Sequence, residues 1–119
     1  MRILIHLTTG VENPTKAALA FLVAATALSD GHDVDIFVAG DGVSALRAES
    51  ASVMQGIGTG SVSDHLEKLR AGQAGLFASG MSSAARGLTP EQLKAQGFIS
   101  APPNKLVELV VAADRTITY

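Results

Sequence analysis

The 119-residue chain has no cysteine, no tryptophan, one tyrosine and four phenylalanines. Without cysteine it forms no disulfide, offers no thiolate to a metal and has no thiol chemistry of its own. Charge is sparse as well: charged residues make up 17% of the chain, the net charge is −2, and there is no run rich in lysine and arginine. A nucleic-acid binder needs a basic face to meet phosphates, so that class of partner is excluded. The most apolar stretch, "AALAFLVAATAL" (17–28), falls short of the roughly 18–20 residues a membrane span needs. The opening "MRILIHLTTG" is too strand-like for a secretory leader and is followed by no small-residue cleavage site. The expectation is a cytoplasmic protein of one domain, residues 1–119, with 47% hydrophobic residues to build a core and no membrane partner.

Several catalytic signatures are missing too. Neither G-x-x-x-x-G-K-[ST] nor G-x-G-x-x-G occurs, which removes the common phosphate-cradling loops. His6, His32 and His65 show no metal-ligand spacing and no HExxH is present, so neither a metal nor a cofactor is expected. The nucleophile elbow G-x-S-x-G is absent. A phospho-receiver domain has this size and class, but it needs an acidic pair after its first strand, where this chain reads His6-Leu7-Thr8-Thr9.

What is present alternates. "RILIHLT" (2–8) reads as a buried strand. Asn13 and Pro14 then cap and open an almost wholly apolar helix that runs to Ser29 or Asp30, with Gly31 as its left-handed exit. "DVDIFVAG" (33–40) is a second strand, and "DGVSALRAES" starts as a short helix. Glycines 56, 58 and 60 suggest a mobile loop. An amphipathic helix (61–73) turns Val62, Leu66 and Leu69 to one side, and "AGLFAS" (74–79) is a third strand. Thr89 and Gln92 form a capping box for a short helix that Gly97 ends. A short strand (98–100), a helix with Leu106, Leu109, Val110 and Ala113 inward, and a last strand (115–119) complete the chain. Alternation of this kind predicts an α/β fold: three α/β/α layers around a mostly parallel sheet of about five strands.

Sites in such folds lie beyond the carboxyl ends of the strands, which selects Thr8–Asn13, Ala39–Gly42 and Ser79–Arg86. In the last of these, Gly80 permits a sharp turn, Ser82 or Ser83 can cap a short helix, and Arg86 stands about one turn along. Two readings are open. Thr8, Thr9, Gly10, Ser79, Gly80, Ser82, Ser83 and Arg86 could hold a small anionic ligand at free N–H groups beside a positive charge. Alternatively this is a capped turn whose arginine lies on the surface or pairs with a carboxylate.

Taken in order, "MRILIHLTTG", the apolar first helix, "DVDIFVAGDGV", "LFASGMSSAARGLT" and "PNKLVELVVAADRTITY" resemble the DsrE/DsrF-like family (the DsrEFH superfamily, YchN-like) along the whole chain. The resemblance implies a three-layer domain that assembles as a trimer or hexamer. It also implies kinship with sulfur relays, in which a cysteine at the end of the third strand receives persulfide sulfur and passes it to a protein partner. The matching position here is Ser79. A hydroxyl cannot accept sulfane sulfur, so three functions stay open: a non-catalytic oligomeric subunit or binding module, an anion-binding protein, and an enzyme using Ser79 or a histidine. Self-association has a separate motive in the apolar first helix and in Val53, Met54 and Ile57, which would burden a monomer if exposed together.

Overall fold

The computed structural model describes residues 1–119. Strand β1 (Arg2–Leu7) is followed by α1 (Pro14–Ser29), β2 (Asp33–Val38) and a 3-10 segment (Gly40–Leu46). Next come α2 (Ala48–Ala51), the strands β3 (Gln55–Gly56) and β4 (Gly60–Ser61), α3 (Val62–Ala71) and β5 (Gly75–Ser79). The chain ends with α4 (Gly80–Ala85), α5 (Pro90–Ala95), β6 (Ile99–Ala101), α6 (Pro103–Ala112) and β7 (Arg115–Thr118). Five strands form one sheet in the order β6-β5-β2-β1-β7, and every neighbouring pair is parallel. The α/β fold with helices on both faces is therefore present.

Local chemistry sets the boundaries. The Asn13 side chain accepts from the Lys16 N–H with Pro14 at the first helical position, which fixes the start of α1. Thr89 and Gln92 make both bonds of a capping box at α5. Gly31 and Gly97 leave their helices with φ of 92° and 86°.

The order of strands decides where the helices lie. From β1 through β2 and β5 to β6, each crossover steps in the same direction across the sheet. Right-handed connections then place α1, α3 and α5 on one face. Only the return from β6 to β7 runs the other way, so α6 alone covers the second face. The first face closes over a core that includes Phe21, Ile36, Leu66, Leu93 and Phe98, all at most 1% exposed. The second gathers Leu4, Phe37, Ala101 and Leu109.

Three expectations change. Val110 does not turn inward: it is 46% exposed, and α6 docks through Leu109 with Leu106 and Ala113 at the margin. Residues 55–61 form an antiparallel hairpin in place of a mobile loop, pinned where the Ile57 N–H donates to Thr15 Oγ1 and Thr59 Oγ1 donates to the Thr15 carbonyl. Met54 is buried within its own chain, whereas Val53 and Ile57 are exposed. No helix is long and apolar enough to cross a membrane.

Candidate functional site

The carboxyl ends of β1, β2 and β5 come together through the segment that follows β2. Gly10 packs so closely on it that a Cβ there would lie 2.2 Å from Ser44 Oγ and 2.3 Å from the Asp41 carbonyl. The Val11 N–H donates to Ser44 Oγ, and the Gly10 N–H donates to Glu12 Oε1. On the other side the Gly40 N–H donates to Ser82 Oγ at 2.9 Å. Arg86 donates to Asp41 Oδ1 at 2.8 Å and to the Ser82 carbonyl at 3.0 Å, while Arg47 donates to the Arg86 carbonyl. Gly10–Val11 and Ser82–Arg86 are thus tied to the same short stretch, Gly40–Arg47.

Ser79 ends β5 and caps α4, accepting the Ser82 N–H on its Oγ at 3.1 Å. This corrects the expectation that Ser82 or Ser83 is the cap. β5 ends one residue before Gly80, so the cap position falls on Ser79. Gly80 follows; a Cβ there would come within 2.7 Å of Ser100 Oγ, so that side chain would have to turn away. Ser79 is 8% exposed and Ser83 1% exposed. Ser83 Oγ has no hydrogen-bond partner.

The donors here are largely committed. Thr8 gives both its N–H and its Oγ1 hydrogen to the Tyr119 carbonyl. Thr9 is partly buried and follows directly in the loop. The charge on Arg86 is matched by Asp41, so it does not stand free as an anion hook. Asp41 was not among the sequence candidates by name; its signal was its place beyond β2, since no local spacing links residues 41 and 86.

The three histidines stand apart from Ser79. His65 is buried on α3 with Nε2 at 2.7 Å from the Thr59 carbonyl. His32 is partly buried and lies 3.2 Å from the N-terminal amine through Nδ1, at the opposite end of the sheet. His6 shares the second face with Phe37 and Phe77, two strands from β5. At about 4.8 Å per strand this puts it about 10 Å or more from Ser79. Burial holds the His6 pKa below the ordinary 6.5. No group of three or more acidic or histidine side chains could hold a metal.

A cleft of about 380 Å³ opens on the second face between α6 and β6, lined by Phe77, Ile99, Ala101, Lys105 and Glu108 among others. Lys105 Nζ lies 4.9 Å from the Phe77 ring centre and 3.5 Å from Glu108 Oε2. Sequence reasoning did not single out this cleft, because its walls come from residues separated by the whole β5–α6 crossover.

No curated protein matches the chain. Among solved structures, the YchN protein of E. coli superimposes with a TM-score of 0.75 at 14% identity, over 99% of this chain and 97% of that one. A conserved protein of unknown function from Bacteroides thetaiotaomicron gives 0.74 at 12% identity, over 99% and 94%. A protein of unknown function from Methanobacterium thermoautotrophicum gives 0.69 at 18%, over 99% and 98%. These likenesses show the fold. The model of the DsrE/DsrF-like family matches residues 1–119, and the chain belongs to that family.

Proposed function

We propose that this protein is a non-catalytic, oligomeric member of its family, a subunit or binding module related to sulfur-relay proteins. In this reading it keeps the turn after β5 without the sulfur-carrying cysteine. The observation that carries the reading is Ser79. Its hydroxyl is buried and accepts the Ser82 N–H as a helix cap, and the chain has no cysteine to take over the role. A serine nucleophile needs a base within hydrogen-bond reach, and no histidine is placed there. Exposed apolar side chains support an oligomer with a further protein partner: Val107 is 61% exposed, Val111 80% and Ile57 89%. The same reading puts the protein in the cytoplasm.

The test combines an assay with a mass. A panel of esters and thioesters is expected to show no turnover that Ser79→Ala removes. Light scattering is expected to give a multiple of the 12.2 kDa chain mass. Turnover lost in Ser79→Ala would make the protein an enzyme. A monomeric mass with no partner captured would end the subunit reading.

A further inference from the structure

The two edges of the sheet are finished differently. β6 has three residues and runs into Pro102 and Pro103, so that edge is short and guarded against strand addition. β7 lies at the other edge with β1 as its one strand neighbour, and it contains neither proline nor lysine. Tyr119 turns both backbone groups toward β1, its N–H to the His6 carbonyl and its carbonyl to the Thr8 N–H, each at 2.9 Å. By the two-residue period of a strand, Arg115 and Ile117 also bond to β1, while Thr116 and Thr118 present N–H and C=O outward. All four residues of β7 are exposed.

An apolar groove of about 420 Å³ follows this edge on the α1 face, with Ile3, Leu22, Val23, Ala27 and Ile117 in its lining. It exists because α1 packs over β1 and β2 and no helix covers β7. Ile117 is 39% exposed there.

We infer that β7 is a two-fold interface at which a second copy of this chain pairs antiparallel, in the register that sets Ile117 opposite its own counterpart. The inference rests on the oligomeric reading above and names its surface. Thr116-Ile117-Thr118 is symmetric about Ile117. In this register each outward Thr116 meets the second copy's Thr118, so every free backbone group of both threonines finds a partner. Ile117 then falls at a position without hydrogen bonds, where facing Cα atoms approach to about 4.5 Å. The two isoleucines cover each other, and the two apolar grooves join across the axis. On the opposite face the threonines form cross-strand pairs, a favourable combination on a pleated surface. Such a two-fold contact is also one a hexamer contains.

The absence of cysteine makes the test clean. Ile117→Cys introduces a single thiol at the proposed axis, and mild oxidation is expected to convert most of the protein to a covalent dimer on a non-reducing gel. Ile99→Cys, on the β6 edge, is expected to remain uncrosslinked. Thr118→Pro removes an outward N–H that β1 does not use, so the folded variant is expected to show half the mass of the parent in solution. Folded Ile117→Cys that stays uncrosslinked overturns the inference. A parent oligomer whose mass survives Thr118→Pro overturns this interface alone, whereas a parent that is monomeric at every concentration overturns the oligomeric reading with it.

Discussion

One face of the sheet carries α1, α3 and α5 over a continuous cluster of 24 buried residues, while the other carries α6 over a cluster of four. The same strands build both. Residues alternate from face to face along β1 and β2, with Ile3, Ile5 and Leu7 turned one way and Leu4 and His6 the other. The difference comes from strand order. Three same-direction crossovers must share a face when all are right-handed, and one return connection is left for the other. The rich face is what holds the chain folded. On the poor face a half-buried histidine, an aromatic row and a cleft remain, along with outward-facing valines on α6. The polar contacts that join the strand ends run across the top of both.

The largest effect should separate the faces directly. Phe21→Ala removes a fully buried ring from the rich face and is expected to cost about 3–5 kcal/mol in a denaturant titration. Leu109→Ala removes the main contact of α6 and is expected to cost about 2 kcal/mol, at the low end for a core leucine. Equal costs would mean that α6 matters as much as α1 and would dissolve the contrast.

Gly10→Ala probes the strand ends. Its methyl group would collide with the Asp41 carbonyl as well as with Ser44 Oγ, and backbone cannot yield as a side-chain tip can. About 1–3 kcal/mol of destabilisation is expected, with the Asp41–Arg86 pair displaced. Ser79→Ala tests the cap. The loss of one N-terminal hydrogen bond from α4 is expected to cost about 1 kcal/mol. A neutral result would show that another group satisfies the Ser82 N–H.

The smallest expected effect concerns pH and belongs to the poor face. His6 is held below its ordinary value of 6.5 by burial, so the folded chain favours the neutral ring. As pH falls through about 6.5 the unfolded chain binds a proton first, and stability drops until the lower folded value is passed. Stability from this source is fully present above about 6.5. His6→Leu should therefore flatten the decline in melting temperature between about pH 7 and about pH 5, with little change at the upper end. An unchanged slope would assign the acid sensitivity to other groups.

The elements with local chemistry were legible in the sequence. Asn13, Pro14, Thr89, Gln92, Gly31 and Gly97 each act within a few residues of themselves, so their roles follow from neighbours. The face of α6 was legible in Leu106, Leu109 and Ala113 but not at Val110, because Val107, Val110 and Val111 carry apolar character beyond the stripe that docks. Three serines near the end of β5 can all cap, and only the point where the strand stops decides among them. The Arg86–Asp41 pair joins residues 45 positions apart, which no local pattern encodes. The hairpin at 55–61 hid behind its glycines: Gly58 and Gly60 turn it with positive φ, while Thr15 on α1, which holds it in place, lies far off in sequence.

The proposed reading supposes that the turn after β5, where the family resemblance sets a sulfur-carrying cysteine, keeps that setting around Ser79. Ser79→Cys places a thiol at the end of β5, where the Ser82 N–H donates to the side chain of residue 79 and no other cysteine interferes with a titration. The account predicts a thiol pKa clearly below the ordinary value of about 8.5, together with uptake of one sulfur atom from a persulfide donor. A thiol that titrates at or above about 8.5 and takes up no sulfur would show that the turn holds nothing of that setting, and would contradict the account.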